Sequence, residues 1–547
     1  MIGRKSHGRH ASPGRTSGSP RSSALMAAGT VVSRATGLIR QVLQADALGV
    51  GLLATTYNLA NTVPTSLYFL LIGGALNSVL VPQLVRAHAE HPDGGTAFEQ
   101  RLVTLVLCVL AAGTALAVWA APTVIALYQS DTPDTHAAFE LTVVLARYLL
   151  PQIFFYGVFS IFGQVLNARD RFGAMMWTPV LNNVVLIAVF GLYVGLLNAP
   201  DQVSGITPEQ VALLGTGTTV ALAVQALSLV PYALAAGFRP RPRFDWRGTG
   251  LRKSVSAARW TLLFVLTNLV ASTLVTRFAS AADTALPKDG VGYTAYTYAQ
   301  QIWTMPQSIV TVTLVTALLP RMSRAVVEHR IGALRADLSR SLRISGVVIV
   351  PAAFAFLAFG PQIAQLLFAH GATDPATTLP LGHMLQAFGL GLVPFSAQYL
   401  LLRGFYAFDD TRTPFRLALW IGATDVALAA ACHLLLPARW AVTGMAGAYA
   451  LSYGVGLLLT AVRLRRRTEG LLDGRRICRT YGKLTAAAAL AGAAGWLVGL
   501  GCTDGAVAAL RTPVLSLAAG GLTMALLFLL LARLLRITEL RALPGLR

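Results

Sequence analysis

Residues 30–44 read TVVSRATGLIRQVLQ, an apolar run that carries two arginines, Arg34 and Arg40. On a helix of about 100° per residue, Thr30, Ser33, Arg34, Gly37, Arg40, Gln41 and Gln44 fall within an arc of roughly 120°, and Val31, Val32, Leu38, Ile39, Val42 and Leu43 fill the other side. A charge at the bilayer centre costs about 2.5–3.5 kcal/mol on insertion scales, so arginines in a membrane helix turn toward a bundle interior or a wet cavity. Snorkelling of the guanidinium to the nearer surface is the competing account. It suits Arg34 better than Arg40, which lies deeper and shares its face with polar neighbours. The stretch therefore predicts a membrane-spanning helix with its polar face on a cavity.

The remainder of the chain has the composition such a helix needs around it. Of 547 residues, 55% are hydrophobic and 12% are charged, against about 25% charged in a soluble domain. The fold class is an all-α polytopic membrane protein. In a soluble chain the net charge of +21 would point to nucleic acid. Here the excess of Lys and Arg in cytoplasmic loops accounts for it, and no nucleic-acid partner is expected. Cys108, Cys432, Cys478 and Cys502 include no CxxC pair, so no metal site or disulfide framework is read from them. Residues 1–23 lack the apolar core of a signal peptide and read as a disordered basic cytoplasmic arm.

Apolar stretches of about 20 residues, the length that crosses ~30 Å, recur near 25–45, 53–83, 102–128, 141–166, 175–197, 210–237, 260–279, 293–319, 344–368, 384–407, 415–436, 443–462, 481–500 and 514–535. That gives about fourteen spans. The loops expected outside contain only Lys288, Arg439 and Arg511 as basic residues, and segments 129–140, 198–209 and 369–383 hold acids but no Lys or Arg. The alternate loops are basic, including RPRPRFDWR at 239–247 and RLRRR at 463–467. This alternation places both termini in the cytoplasm. Pro64, Pro151, Pro179, Pro306 and Pro394 lie in or beside spans and predict kinks.

An internal repeat is legible as well. LVPQLVRA ending at Ala87 matches LLPRMSRA ending at Ala325, and Asn167-Ala168-Arg169-Asp170 matches Tyr406-Ala407-Phe408-Asp409, at offsets of 238 and 239 residues. Spans 1–6 and 7–12 then read as homologous halves of like orientation, with spans 13 and 14 added outside the repeat. The expected organisation is an N-lobe at 24–238, a basic linker at 239–259, a C-lobe at 260–464, a basic loop at 465–480, a helix pair at 481–536 and a tail at 537–547.

No P-loop, HExxH or GxSxG elbow with triad partners occurs, so an enzyme is not expected. The chemistry rests on polar groups within spans. Asn58, Asn61, Thr62 and Thr65 share one helix face; Asn268, Ser272, Thr276 and Arg277 lie on span 7; Tyr298, Gln300, Gln301 and Gln307 lie on span 8; Asp425 interrupts span 11. Helix–helix hydrogen bonding is the simplest role for the amides and hydroxyls.

The segments SRATGLIRQ at 33–41, YNLANTVPTSLY at 57–68, GGALNSVLVPQLVRA at 73–87, GQVLNARDRF at 163–172, TALLPRMSRA at 316–325 and LLRGFYAFDDTRTP at 401–414 resemble the MurJ/MviN family of lipid II flippases. The resemblance runs from about residue 25 to 465. It implies the multidrug/oligosaccharidyl-lipid/polysaccharide exporter fold: two six-helix lobes around a central cavity, with two further helices forming a lipid-facing groove. It also implies movement of the undecaprenyl-diphosphate-linked peptidoglycan precursor from the inner to the outer leaflet of the bacterial cytoplasmic membrane. Ser33, Arg34, Gly37 and Arg40 match the family's cavity-lining first-helix motif, and Arg277 matches an arginine at the end of the seventh helix.

The chain departs from the family pattern at several of these positions. Gln41, Thr56 and Thr276 stand where members carry acids, and Tyr68 and Gln301 where they carry arginines. Asp425 falls in the family's sodium site, while Ala429 replaces a second ligand there. The expected substrate-binding residues are thus Ser33, Arg34, Gly37, Arg40, Gln41, Asn58, Asn61, Arg277 and Gln301, with Asp425 and Thr276 as the candidate cation-coupling pair. No cofactor is expected beyond a coupling ion, sodium or proton, or the membrane potential. Lipid II and membrane lipids are the expected partners, with cell-wall synthesis proteins as further ones. The rival functions are a non-transporting scaffold for cell-wall synthesis and an exporter of another polysaccharide-lipid or a drug.

Overall fold

The computed structural model describes residues 20–70, 95–167, 169, 171, 173–196, 203–245, 251–468, 472–501 and 512–542. Its α-helices are α1 (Pro20–Leu48), α2 (Leu52–Tyr68), α3 (Thr96–Trp119), α4 (Ala121–Ala126), α5 (His136–Leu149), α6 (Gln152–Asn167), α7 (Gly173–Leu196), α8 (Pro208–Leu227), α9 (Leu229–Ala235), α10 (Leu251–Ala285), α11 (Tyr293–Val327), α12 (Ile331–Phe368), α13 (Pro375–Ala407), α14 (Arg412–Leu435), α15 (Ala438–Arg467), α16 (Gly474–Gly501) and α17 (Thr512–Leu534). Eleven helical segments among the described residues are long and apolar enough to cross a membrane. The chain is a multi-pass membrane protein. Three further helices, α1, α2 and α11, coincide with expected spans.

Proline explains where spans break and where they do not. The fourth expected span divides into α5 and α6 at Pro151, whose ring and missing N–H interrupt the ladder of i→i−4 bonds. Pro64, Pro179, Pro306 and Pro394 are instead accommodated inside continuous helices. Helices also run past the apolar stretches into the basic segments. α10 begins at Leu251, within the stretch expected as a linker, and α15 ends only at Arg467. Lys and Arg are good helix formers, so the helix need not stop where the hydrocarbon does.

Packing sorts the helices into two sets. In the first, α1 packs on α7, α7 on α8, α2 on α5 and α6, and α3 on α6; in the second, α10 packs on α14, α14 on α15, and α13 on α11, α12 and α15. In the first set, Arg169 grips the buried Glu99 with both terminal nitrogens, at 2.5 and 2.7 Å. The sets repeat each other in detail. α7 and α14 are both 24 residues long and start 239 positions apart. The Arg171 N–H donates to the Leu166 carbonyl and the Asp410 N–H to the Phe405 carbonyl, both at 3.0 Å and again 239 apart. These are the same helix-closing bond in each half. The match at 80–87 lies outside the described residues.

α16 and α17 lie against α12 through Val347, Val350, Phe359, Leu484, Ala487, Ala491, Met524 and Phe528. A Cβ on Gly495 would sit 2.5 Å from the Gly520 carbonyl and 3.2 Å from the Phe359 ring, so glycine is what lets these backbones touch. A buried ion pair between Arg343 and Glu539 fixes the chain after α17 to α12.

Candidate functional site between the lobes

The polar face of α1 opens on a cavity of about 520 Å³ shared with α7 and α11. α1 contributes Ser33, Arg34, Gly37, Arg40 and Gln41, α7 contributes Pro179, Asn182 and Asn183, and α11 contributes Gln301 and Thr304. Asn183 registers α1 on α7 by donating to the Ser33 carbonyl at 3.1 Å and to Thr36 Oγ1 at 3.0 Å. Arg34 is exposed. Arg40 is half-buried, with an Nε that has no hydrogen-bond partner among the described residues. Gln41 is only 2% exposed, and its Nε2 is likewise buried and unpartnered. Among the described residues, no acid lines this cavity. Two arginines and a glutamine therefore line a space whose described lining carries no counter-charge, an arrangement suited to a multidentate anion. A Cβ at Gly37 would meet only Asn183 Nδ2, at an ordinary 3.6 Å, so the protein does not need glycine there to pack.

A second cavity, of about 490 Å³, lies between α2, α10, α11, α14 and α15, and it contains both Thr276 and Asp425. Asp425 is 7% exposed, with Oδ1 unpartnered, and Tyr296, Tyr449 and Tyr453 share its cavity. Ala429, one turn along α14, is fully buried and offers no ligand. Among the described residues, no group of three His, Cys, Asp or Glu side chains gathers here or elsewhere.

Three expected site residues lie in neither cavity. Asn61 accepts from Gln152 Nε2 at 3.2 Å, a contact within the first lobe. Asn58 accepts from Gln44 Nε2 at 2.8 Å and donates to Thr294 Oγ1 at 3.0 Å. Arg277 donates to the Ala126 carbonyl at 2.7 Å and to Ser130 Oγ at 3.1 Å. In this conformation Asn58 and Arg277 belong to a seal that ties the lobes together at the end bearing the loops without Lys or Arg.

The rest of that seal was not legible as a site. Asp283, fully buried, accepts from Thr55 Oγ1 at 2.6 Å and from the Tyr293 N–H at 2.9 Å. The Leu52 N–H donates to the Pro287 carbonyl at 3.0 Å, and the Ala372 N–H to the Asp46 carbonyl at 3.1 Å. Asp283 lies just past the apolar run expected at 260–279, and an acid at a span's end reads as loop. The adjacent Asn182 and Asn183 were visible as amides inside an otherwise apolar span, the one signal that marks them.

The geometry has counterparts among known proteins. Residues 44–510 match the family model described as lipid II flippase MurJ. A "Probable lipid II flippase MurJ" of Rhizobium meliloti (strain 1021) is 29% identical over 466 residues, covering 85% of this chain and 84% of that protein. The "Lipid II flippase MurJ" of Burkholderia cenocepacia is 26% identical over 445 residues, covering 80% and 81%. The fold superposes on a solved lipid II flippase MurJ in an inward closed conformation with a TM-score of 0.73, at 18% identity, covering 94% of this chain and all of that one. It superposes on an inward-facing multidrug resistance MATE family transporter of the MOP superfamily with a TM-score of 0.62, at 16% identity, covering 80% and 98%. With a family model matching most of its length, the chain belongs to the lipid II flippase MurJ family.

Proposed function

We propose that this protein carries lipid II from the inner to the outer leaflet of the bacterial cytoplasmic membrane by alternating access, without chemical change to the substrate. The observation that carries this reading is the cavity that holds Arg34, Arg40 and the amide of Gln41 and, among the described residues, no acid. A lipid-linked diphosphate needs cationic donors in forked geometry, and guanidinium supplies two parallel N–H bonds to phosphate oxygens. Six residues separate the two arginines, about 9 Å along a helix rising 1.5 Å per residue. Arg34 meets the diphosphate first, near the basic-loop end, and Arg40 holds it deeper. Ser33, Gln41, Asn182 and Gln301 offer neutral hydrogen bonds to sugar and peptide, while the polyprenyl tail stays in lipid.

In this reading both termini and the basic loops are cytoplasmic, and the seal around Asp283 and Arg277 closes the outer side. Release requires that seal to part as the lobes rock. Asp425 is the proposed coupling site: a buried, unpartnered carboxylate binds a cation or a proton in one state and gives it up in another. Thr276 is the one expected partner that shares its cavity. The test is complementation of a strain depleted of its only lipid II flippase. Growth restored by the wild-type chain, and not by Arg40→Ala at equal expression, supports transport. A chain that localises to the membrane yet never restores growth supports the scaffold reading instead.

A further inference from the structure

The transport cavity leaves unused two of the chain's most distinctive segments, LLRGFYAFDDTRTP at 401–414 and RLRRR at 463–467. The fold brings them together. A Cβ on Gly404 would lie 2.9 Å from Leu464 Cδ1, so the last turns of α13 and α15 are level and in contact. Between them and the start of α14 lies an open cleft of about 280 Å³, lined by Phe405, Asp410, Thr413, Arg463, Arg466 and Arg467. That is roughly half the volume of the cavity between the lobes, and the cleft shares no residue with it.

The charge in this cleft is unbalanced. Among the described residues its lining holds one acid against three arginines, and that acid, Asp410, accepts the Thr413 N–H at 3.0 Å and the Thr413 hydroxyl at 2.8 Å, holding the first turn of α14. Arg467 is held over the Phe408 ring, 5.4 Å from its centroid. Arg463 is half-buried, with an Nη1 that is shielded from solvent and has no hydrogen-bond partner among the described residues. A buried donor without an acceptor is costly, and more so on a cation. Three guanidiniums converging on one opening also repel one another unless an anion lies among them.

We infer that this cleft is a second anion site, on the basic-loop face of the C-lobe, that binds a phosphate group. Tetrahedral phosphate oxygens answer forked guanidinium donors, and its charge offsets the arginines. The position, at helix ends where basic residues meet the membrane surface, is where phospholipid headgroups are captured between transmembrane helices. Free phosphate has the same chemistry, so the two sources are separated by experiment.

The full chain is purified in detergent as wild type, as Arg463→Gln/Arg466→Gln and as Arg475→Gln/Arg476→Gln, a control in basic residues outside the cleft. Phosphatidylglycerol, phosphatidylcholine and inorganic phosphate are titrated in turn, with binding read by native mass spectrometry and by the unfolding midpoint. The expected result is retention of phosphatidylglycerol over phosphatidylcholine, weakened at least tenfold in the Arg463/Arg466 variant and unchanged in the control. Saturable binding of inorganic phosphate that displaces the lipid, lost in the same variant, assigns the site to a soluble phosphate. If the Arg463/Arg466 variant binds both probes as wild type does, if the control loses binding equally, or if neither probe binds wild type, the inference is overturned. Should the double variant not fold, the exposed Arg466→Gln alone and the charge-preserving Arg463→Lys take its place, with the first expected to bind more weakly than the second.

Discussion

Thr55 and Thr294, 239 residues apart, share a hydrogen bond of 2.9 Å between their hydroxyls. That separation is the period of the internal repeat, so the two threonines are equivalent positions of the two halves, at the start of α2 and of α11. An axis relating the lobes passes close to their contact. Asp283 breaks the symmetry: its carboxylate accepts from Thr55 Oγ1, and the equivalent position in the first half is Gln44, whose amide donates to Asn58.

Thr55→Val is expected to loosen the seal. It leaves the Asp283 carboxylate and the Thr294 hydroxyl each short of a partner, a cost of about 1–3 kcal/mol in a buried site. The closed state loses that stabilisation and the lobes part more often. Labelling of a cysteine placed at Thr373, which is 4% exposed and bonds the Ala45 carbonyl across the seam, is then faster than in the parent. An unchanged labelling rate would show that the threonine pair does not hold the seal.

Arg277 and Arg40 are expected to fail differently. Arg277 spans the lobes through Ala126 and Ser130, so Arg277→Ala shifts the conformational balance and leaves binding of substrate to the inward-facing state near normal. Arg40→Ala removes a charged donor from the cavity and weakens binding itself by about 1.5–3 kcal/mol. Binding measured beside cysteine accessibility at the seal separates the two, and equal losses of affinity would contradict the assignment.

The period of α1 was legible because residues 3, 4 and 7 apart on one helix share a face whatever surrounds it. Ser33, Arg34, Gly37, Arg40 and Gln41 duly share one cavity. The same rule placed Asn58 and Asn61 together but does not say what covers them: Asn58 meets Gln44 and Thr294, while Asn61 meets Gln152. Contacts between spans hundreds of residues apart leave no periodic trace. Asp283 and Arg277 are sealed by partners on α2 and near α4, which only the assembled lobes bring into reach.

Asp425→Asn is expected to preserve folding and to abolish whatever dependence on sodium, pH or membrane potential the wild type shows. The amide keeps the shape and removes the titratable charge that a coupling ion requires. Transport by the variant with its ion and voltage dependence intact would make Asp425 a structural residue.

Gly495→Val is expected to destabilise the protein without touching the substrate cavity. Its Cβ would fall 2.5 Å from the Gly520 carbonyl and 3.0 Å from Met524 Cβ, and overpacking of that kind costs about 1–3 kcal/mol. A lowered unfolding midpoint, with α16 more readily cleaved by protease, is the outcome. An unaltered midpoint would mean that the helix pair is not held by this close approach.

Binding of the lipid diphosphate by the polar face of α1 is tested by lipid II flipping in proteoliposomes at matched protein content, comparing wild type with Arg40→Lys and Arg40→Ala. Transport is expected to fall in that order, since lysine keeps the charge but loses the planar fork. Normal transport by Arg40→Ala would contradict such binding and leave Arg40 a snorkelling residue of an ordinary membrane helix.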